Sequence, residues 1–141
     1  MDDANKQKGF SAWAVLGYCW GAKVANLTLH NPDSAVKCGV MAHPAMLDPA
    51  DAKDLRVPLA LLASRDEDVE AVQLFKGNPA GLEIRVETFG NMVHGWMAAR
   101  ADLEDEECLK EYQRGYKIVS GVFTAVSVIF SRNELSPWSH V

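Results

Sequence analysis

The sequence predicts an α/β fold, a parallel sheet of about four strands with flanking helices, and three observations carry that prediction. The stretch Val15-Leu16-Gly17-Tyr18-Cys19-Trp20-Gly21-Ala22 reads as an apolar strand that breaks at a thiol between two glycines and runs into a helix. Three further apolar runs of strand length follow, at Ala35 to Ala42, Val57 to Ala63 and Leu82 to Phe89. Segments with helical spacing come after the first and third of the four runs, and a long one follows the last. Strand and helix in alternation bury a parallel sheet, because each parallel crossover must return along the length of the sheet and does so over one face.

Residues 1–10 are polar, and a flexible tail is expected there. Residues 11–18 (Ser-Ala-Trp-Ala-Val-Leu-Gly-Tyr) are nearly all apolar, which suits a strand covered on both faces. From Cys19 to His30, Ala22, Val24, Ala25, Leu27 and Leu29 recur at helical spacing until Asn31-Pro32-Asp33 ends the segment. A sharp strand-to-helix turn leaves little room for neighbouring Cβ atoms, and Gly17 and Gly21 are expected to meet that need. The second strand, Ala35 to Ala42, leads into His43-Pro44 and a loop rich in Pro and Asp through Lys53.

The third strand, Val57 to Ala63, runs into Ser64-Arg65-Asp66-Glu67-Asp68. Val69 to Lys76 then makes a short helix on Val69, Val72, Leu74 and Phe75, stopped by Gly77-Asn78-Pro79-Ala80-Gly81. Leu82, Ile84 and Val86 alternate with Glu83, Arg85 and Glu87, so this strand is half exposed and belongs near an edge. Asp102 to Phe130 reads as one long helix, or as a helix that passes into something else at Ser120-Gly121, since Val122 to Phe130 is rich in residues that prefer strands. Ser131 to Val141 is expected to be a flexible tail, and the whole of residues 1–141 a single, partial domain.

Composition narrows the function classes. Hydrophobic residues make up 48% and charged residues 23% of the 141, a globular rather than a disordered balance. The net charge of -5 and the lack of a concentrated Lys/Arg stripe argue against nucleic acid as a partner. Ile118 to Phe130, about 13 residues long and carrying Ser120, Gly121, Thr124 and Ser127, falls short of the roughly 20 apolar residues that span a bilayer, so no membrane partner is expected. Three scattered cysteines fit neither a disulfide framework nor a zinc knuckle. With a polar N-terminus, they lead to the expectation of a cytoplasmic protein without metal or cofactor.

In open parallel sheets chemistry gathers at the carboxyl ends of strands, and three such ends here carry Cys19, Asp66 and His94. A thiol nucleophile needs a base within hydrogen-bond reach, and the base needs an acid to fix its tautomer. Nucleophile, acid, histidine is the chain order of an α/β-hydrolase triad. Cys19 sits at a helix N-terminus, where the macrodipole favours thiolate. Asp66, the first carboxylate after the strand, is favoured as the acid, with Glu67 and Asp68 as competitors. His43 follows a strand end and is a candidate to line the substrate pocket. Met92 and Trp96, with Trp20, could wall an apolar pocket, and core packing is the equal alternative.

At these residues the sequence resembles the dienelactone hydrolase family, particularly its fungal members, through Gly17-Tyr18-Cys19-Trp20-Gly21, the His43-Pro44 pair, Asp66, and the run Val93-His94-Gly95-Trp96-Met97-Ala98-Ala99-Arg100. The resemblance covers about residues 13–118. It implies an α/β-hydrolase fold and a thiol esterase that opens enol-lactones, with a small lactone or ester as substrate. It makes Cys19 the nucleophile, Asp66 the acid, His94 the base and the N–H of Trp20 one oxyanion donor. No position matches the family's second oxyanion donor, its thiol-contacting glutamate or its carboxylate-binding arginine, which belong to the front half of that fold. A sheet truncated on its N-terminal side exposes an edge beside the Cys19 strand, where self-association is expected. Two other functions follow as alternatives: a catalytically impaired relative acting as a binding or assembly module, and a redox-sensing thiol at Cys19.

Overall fold

A computed structural model describes residues 12–77, 82 and 84–132, with side chains 126 and 128–132 outside the description. Four strands, β1 (Trp13–Tyr18), β2 (Val36–Ala42), β3 (Leu59–Ser64) and β4 (Ile84–Phe89), form one sheet in the order β1-β2-β3-β4. Every neighbouring pair is parallel, with Tyr18 opposite Ala42, Ala42 opposite Leu62, and Leu62 opposite Glu87. The predicted parallel α/β sheet of four strands is thus the observed one. Spatial order repeats chain order, so all four carboxyl ends lie along the same rim.

The central strands are the most buried: every residue of β3 is buried, and all of β2 except the half-buried Lys37. Continuous apolar runs suit strands covered on both faces. β4 keeps only Ile84 and Phe89 buried, as its alternating charges predict for an edge strand. On one face, α1 (Trp20–Thr28) packs on β1 and β2, and α2 (Val69–Lys76) on β4, around Leu29, Met41, Leu59, Leu61 and Phe75. On the other, α3 (Glu106–Arg132) packs on β2 and β3 around Val40, Leu62, Phe89, Trp96 and Val122.

α2 has the predicted limits because the Asp68 carboxylate caps it, accepting from Ala71 N–H at 2.8 Å, and Gly77 ends it. One element is added and one open alternative is decided. The Pro- and Asp-rich loop contains a short 3-10 helix, Pro49–Asp54, started by the Asp48 side chain accepting from Ala50 N–H at 2.9 Å. The strand-preferring residues after Gly121 continue the helix to Arg132, because Ile118, Val119, Val122 and Ala125 recur on one buried face. Burial of that stripe outweighs β-branched propensity, which amounts to about half a kcal/mol per residue. The expected tail at 1–10 and the stretch 133–141 lie outside the described residues, as do 78–81.

The strand-to-helix turn needs only one of its two glycines. A Cβ on Gly17 would lie 2.2 Å from the Gly21 carbonyl oxygen, whereas a Cβ on Gly21 would meet nothing within 4 Å. Gly21 faces the open groove beside β1, an edge strand among the described residues. Gly17→Ala is therefore expected to destabilise the chain by roughly 1–3 kcal/mol, the range of an overpacked core. Gly21→Ala is expected to be neutral or to stabilise by up to about 1 kcal/mol through helix propensity. Urea unfolding of both variants checks the pair, and equal losses would contradict it.

Candidate active site

Each strand delivers one functional segment to the rim. After β1, Cys19 takes φ +52°, ψ −122°, a conformation that non-glycine residues rarely hold. Three main-chain hydrogen bonds hold it there: Cys19 N–H to Ala42 C=O at 3.2 Å, and Ala22 N–H and Ala45 N–H to Cys19 C=O at 3.1 and 3.0 Å. The turn leaves the thiol exposed. Its sulfur is coupled electrostatically to the His94 side chain and to the N–H of Trp20, the first residue of α1, both of which favour its thiolate form.

After β4, His94 is fixed at its main chain and at its ring. Its N–H donates to Asp66 Oδ2 at 2.7 Å, and its carbonyl accepts from Arg100 Nη1 at 3.2 Å. Arg65 N–H donates to Met92 C=O at 3.0 Å and joins the two loops. At the ring, Nδ1 lies 2.8 Å from Glu67 Oε1. The Glu67 side chain is only 4% exposed, and its second oxygen accepts from the Ser64 N–H.

The carboxylate that meets the histidine ring is Glu67, one of the two competitors of Asp66 for the acid's place. Asp66 holds the main chain of His94 while its own side chain, 44% exposed, lies 3.8 Å from Arg65 Nε. Asp68 caps α2. The turn after Ser64 points the second of three successive carboxylates inward and the first along the surface.

Two shifts favour a thiolate beside an imidazolium. The hydrogen bond from His94 and that from the Trp20 N–H lower the Cys19 pKa, against some desolvation and the nearby Glu67 charge. For His94, burial disfavours the charged ring, but hydrogen bonds with Cys19 and Glu67 outweigh it and the net shift is upward. Lowering the thiol and raising the imidazole narrows the gap that separates them when free. Falling pH removes the pair by protonating sulfur, and rising pH removes it by deprotonating the ring. Cys38, buried in the core, is pushed up to about 12 and offers no competing nucleophile.

A cleft of about 330 Å³ opens beside the pair, lined by Pro44 to Leu47, Asp66 to Asp68, Ala71 and His94. The other predicted pocket residues lie elsewhere. Trp96 is fully buried, its ring centroid 4.3 Å from that of Phe89, and Met92 belongs to the same core cluster, so both support the His94 loop from beneath. Their large apolar side chains fill the layer between the sheet and α3. Trp20 is 63% exposed on the groove at β1. His43 is 1% exposed, and its ring packs against His94.

Arg100, which braces the His94 carbonyl, and Tyr116, whose hydroxyl meets that of Tyr18 at 2.8 Å, have supporting roles that sequence inspection did not assign. Arg100 stands within the Val93 to Arg100 run, but nothing in Tyr116's position marks it. Among the described residues no group of three or more His, Cys, Asp or Glu side chains could hold a metal ion, and no helix is long and apolar enough to cross a membrane.

Several known proteins are similar to this chain in sequence or fold. A family model described as the dienelactone hydrolase family matches residues 3–120. Two curated relatives are from Schizosaccharomyces pombe. The uncharacterized AIM2 family protein C977.15 is 47% identical over 106 residues, 72% of this chain and 42% of the relative. The uncharacterized AIM2 family protein C30D10.14 is 41% identical over 115 residues, 78% and 45%. The chain thus spans under half the length of these relatives.

Among solved structures, an acylaminoacyl peptidase from Pyrococcus horikoshii superposes with a TM-score of 0.62 at 14% identity, over 84% of this chain and 26% of the other. A dienelactone hydrolase-like promiscuous phosphotriesterase, P91, from metagenomic libraries gives 0.59 at 16% identity, over 82% and 53%. The shared fold is that of α/β-hydrolases.

Proposed function

The chain belongs to the dienelactone hydrolase family, and from that premise we propose that it carries the nucleophile half of a thiol hydrolase that cleaves a carboxylic ester or lactone. The observation that carries the proposal is the single line of contacts from Cys19 through the His94 ring to Glu67. In this reaction the Cys19 thiolate attacks the carbonyl carbon, and the Trp20 N–H faces the developing oxyanion. The C–O bond then breaks, and the imidazolium of His94 gives its proton to the departing alkoxide. Neutral His94 next takes a proton from water, and the resulting hydroxide attacks the acyl-thioester. Acid product leaves and the thiolate returns. Glu67 keeps the Nδ1 proton in place and stabilises the ring's charge.

The test is pre-steady-state hydrolysis of an activated ester and a panel of enol-lactones by the whole chain. A burst of alcohol product close to one equivalent, followed by slower turnover, supports the acyl-enzyme. A folded chain that gives neither burst nor turnover would sink the proposal in favour of a binding or assembly module.

A further inference from the structure

Among the described residues at the rim, His43 is a buried ionisable side chain for which this reaction has no task. It follows β2 directly, with its main chain at φ +38° and its N–H donating to Leu62 C=O at 2.8 Å. The ring is 1% exposed, and neither nitrogen has a hydrogen-bond partner among the described residues. Burial holds it uncharged, and the charge of His94 adds to that effect. Positive φ and unpaired buried nitrogens are both unfavourable, so the fold alone gives no reason for a histidine here.

The contacts of the ring are specific. It meets the His94 ring edge to face, with centroids 5.0 Å apart at 66°, and its own outer side lies 5.8 Å from the Tyr18 ring. The Tyr18 hydroxyl pairs with that of Tyr116, which also donates to Met97 C=O at 3.1 Å. A rigid column thus runs from α3 through Tyr18 and His43 to one side of the His94 imidazole. The His94 side chain nonetheless remains 29% exposed. Glu67 and Cys19 engage the ring only at its edges, and histidine χ2 is intrinsically broad, so packing against the side of the ring adds to its alignment.

We propose that His43 is a positioning residue, whose immobile ring backs the His94 imidazole and keeps it aligned between Cys19 and Glu67. The proposal rests on the assignment of Cys19 and His94 as nucleophile and base, but its test does not require turnover. What acts is the body of the ring, because its nitrogens find no hydrogen-bond partner among the described residues. A phenyl ring therefore replaces it, and a side chain without a ring does not.

Alkylation of Cys19 by iodoacetamide, measured against pH in the full chain and located by peptide mass spectrometry, reads the thiolate directly, with buried Cys38 as internal control. His43→Phe is expected to keep the wild-type rate profile within about twofold, as expected for a thiol whose pKa is unchanged. His43→Asn removes the ring but tolerates positive φ. It is expected to move the profile toward that of His94→Ala, lowering the rate near neutral pH by up to about tenfold for each pKa unit gained by the thiol.

A folded His43→Asn with the wild-type profile overturns the proposal. A folded His43→Phe that loses reactivity does so too, because the nitrogens would then be what matters. If the wild-type chain shows a depressed thiol pKa and no ester turnover, the hydrolase assignment fails while these profiles still decide the role of His43.

Discussion

Cys19→Ala is expected to lower kcat for an activated ester by on the order of 10⁴-fold or more and to remove the burst entirely, with the circular dichroism spectrum unchanged. The size of the loss follows from what remains. Without sulfur there is no covalent intermediate, and His94 is left beside Glu67 with no proton to take from a nucleophile. A single main-chain donor at Trp20 is then all that the described rim offers to an oxyanion. One such donor contributes roughly 10²–10³ in rate in related chemistry, far less than a complete nucleophile and base. Cys19→Ser would recover little, because a hydroxyl lacks the low pKa that lets the thiol ionise beside an imidazole. Stopped-flow release of a chromogenic alcohol measures both burst and turnover. Retention of a tenth of the wild-type rate by Cys19→Ala would show that the thiol is not the nucleophile.

The second large effect separates two neighbouring carboxylates. Glu67→Gln is expected to reduce kcat by about 10²–10⁴-fold, since an amide opposite Nδ1 can hold the wrong tautomer and offers no charge to the imidazolium. Asp66→Asn is expected to stay within about tenfold, because the amide oxygen can still accept from the His94 N–H and only positioning is weakened. The pH dependence adds a sign. Hydrogen bonding to Glu67 raises the His94 pKa, so its loss lowers the pH at which the ring deprotonates and cuts into the alkaline side of the thiolate–imidazolium window. The same charge opposes the thiolate, so the acidic side gains slightly. A kcat/KM profile against pH for both variants tests this, and a larger loss in Asp66→Asn than in Glu67→Gln would return the acid role to Asp66.

The ambiguity between these two residues marks where sequence information ended. Strand ends were legible because continuous apolar runs at Ala35 to Ala42 and Val57 to Ala63 stop at polar residues. Asp68 and Gly77 fixed α2 to the residue, since a cap and a glycine act locally. Which of three consecutive acids turns inward is instead decided by where β4 puts His94 and by the free N–H of Ser64, both of them tertiary facts. The run Val122 to Phe130 left two readings open for a similar reason. Its β-branched residues carry strand propensity one by one, yet the stripe formed with Ile118 and Val119 is buried under the sheet. Met92 and Trp96 were equally open, because an apolar side chain beside a catalytic loop serves a pocket or a core with the same chemistry.

Strand order that repeats chain order has a kinetic side as well. Cys19 belongs to the first strand and His94 follows the last, and no strand pairing joins β1 to β4 directly. The couple between them forms only once β2 and β3 have closed the sheet, so an incompletely folded chain carries an ordinary, sluggish thiol. On the proposed assignment, activation of the sulfur thus depends on the sheet being complete through its last strand.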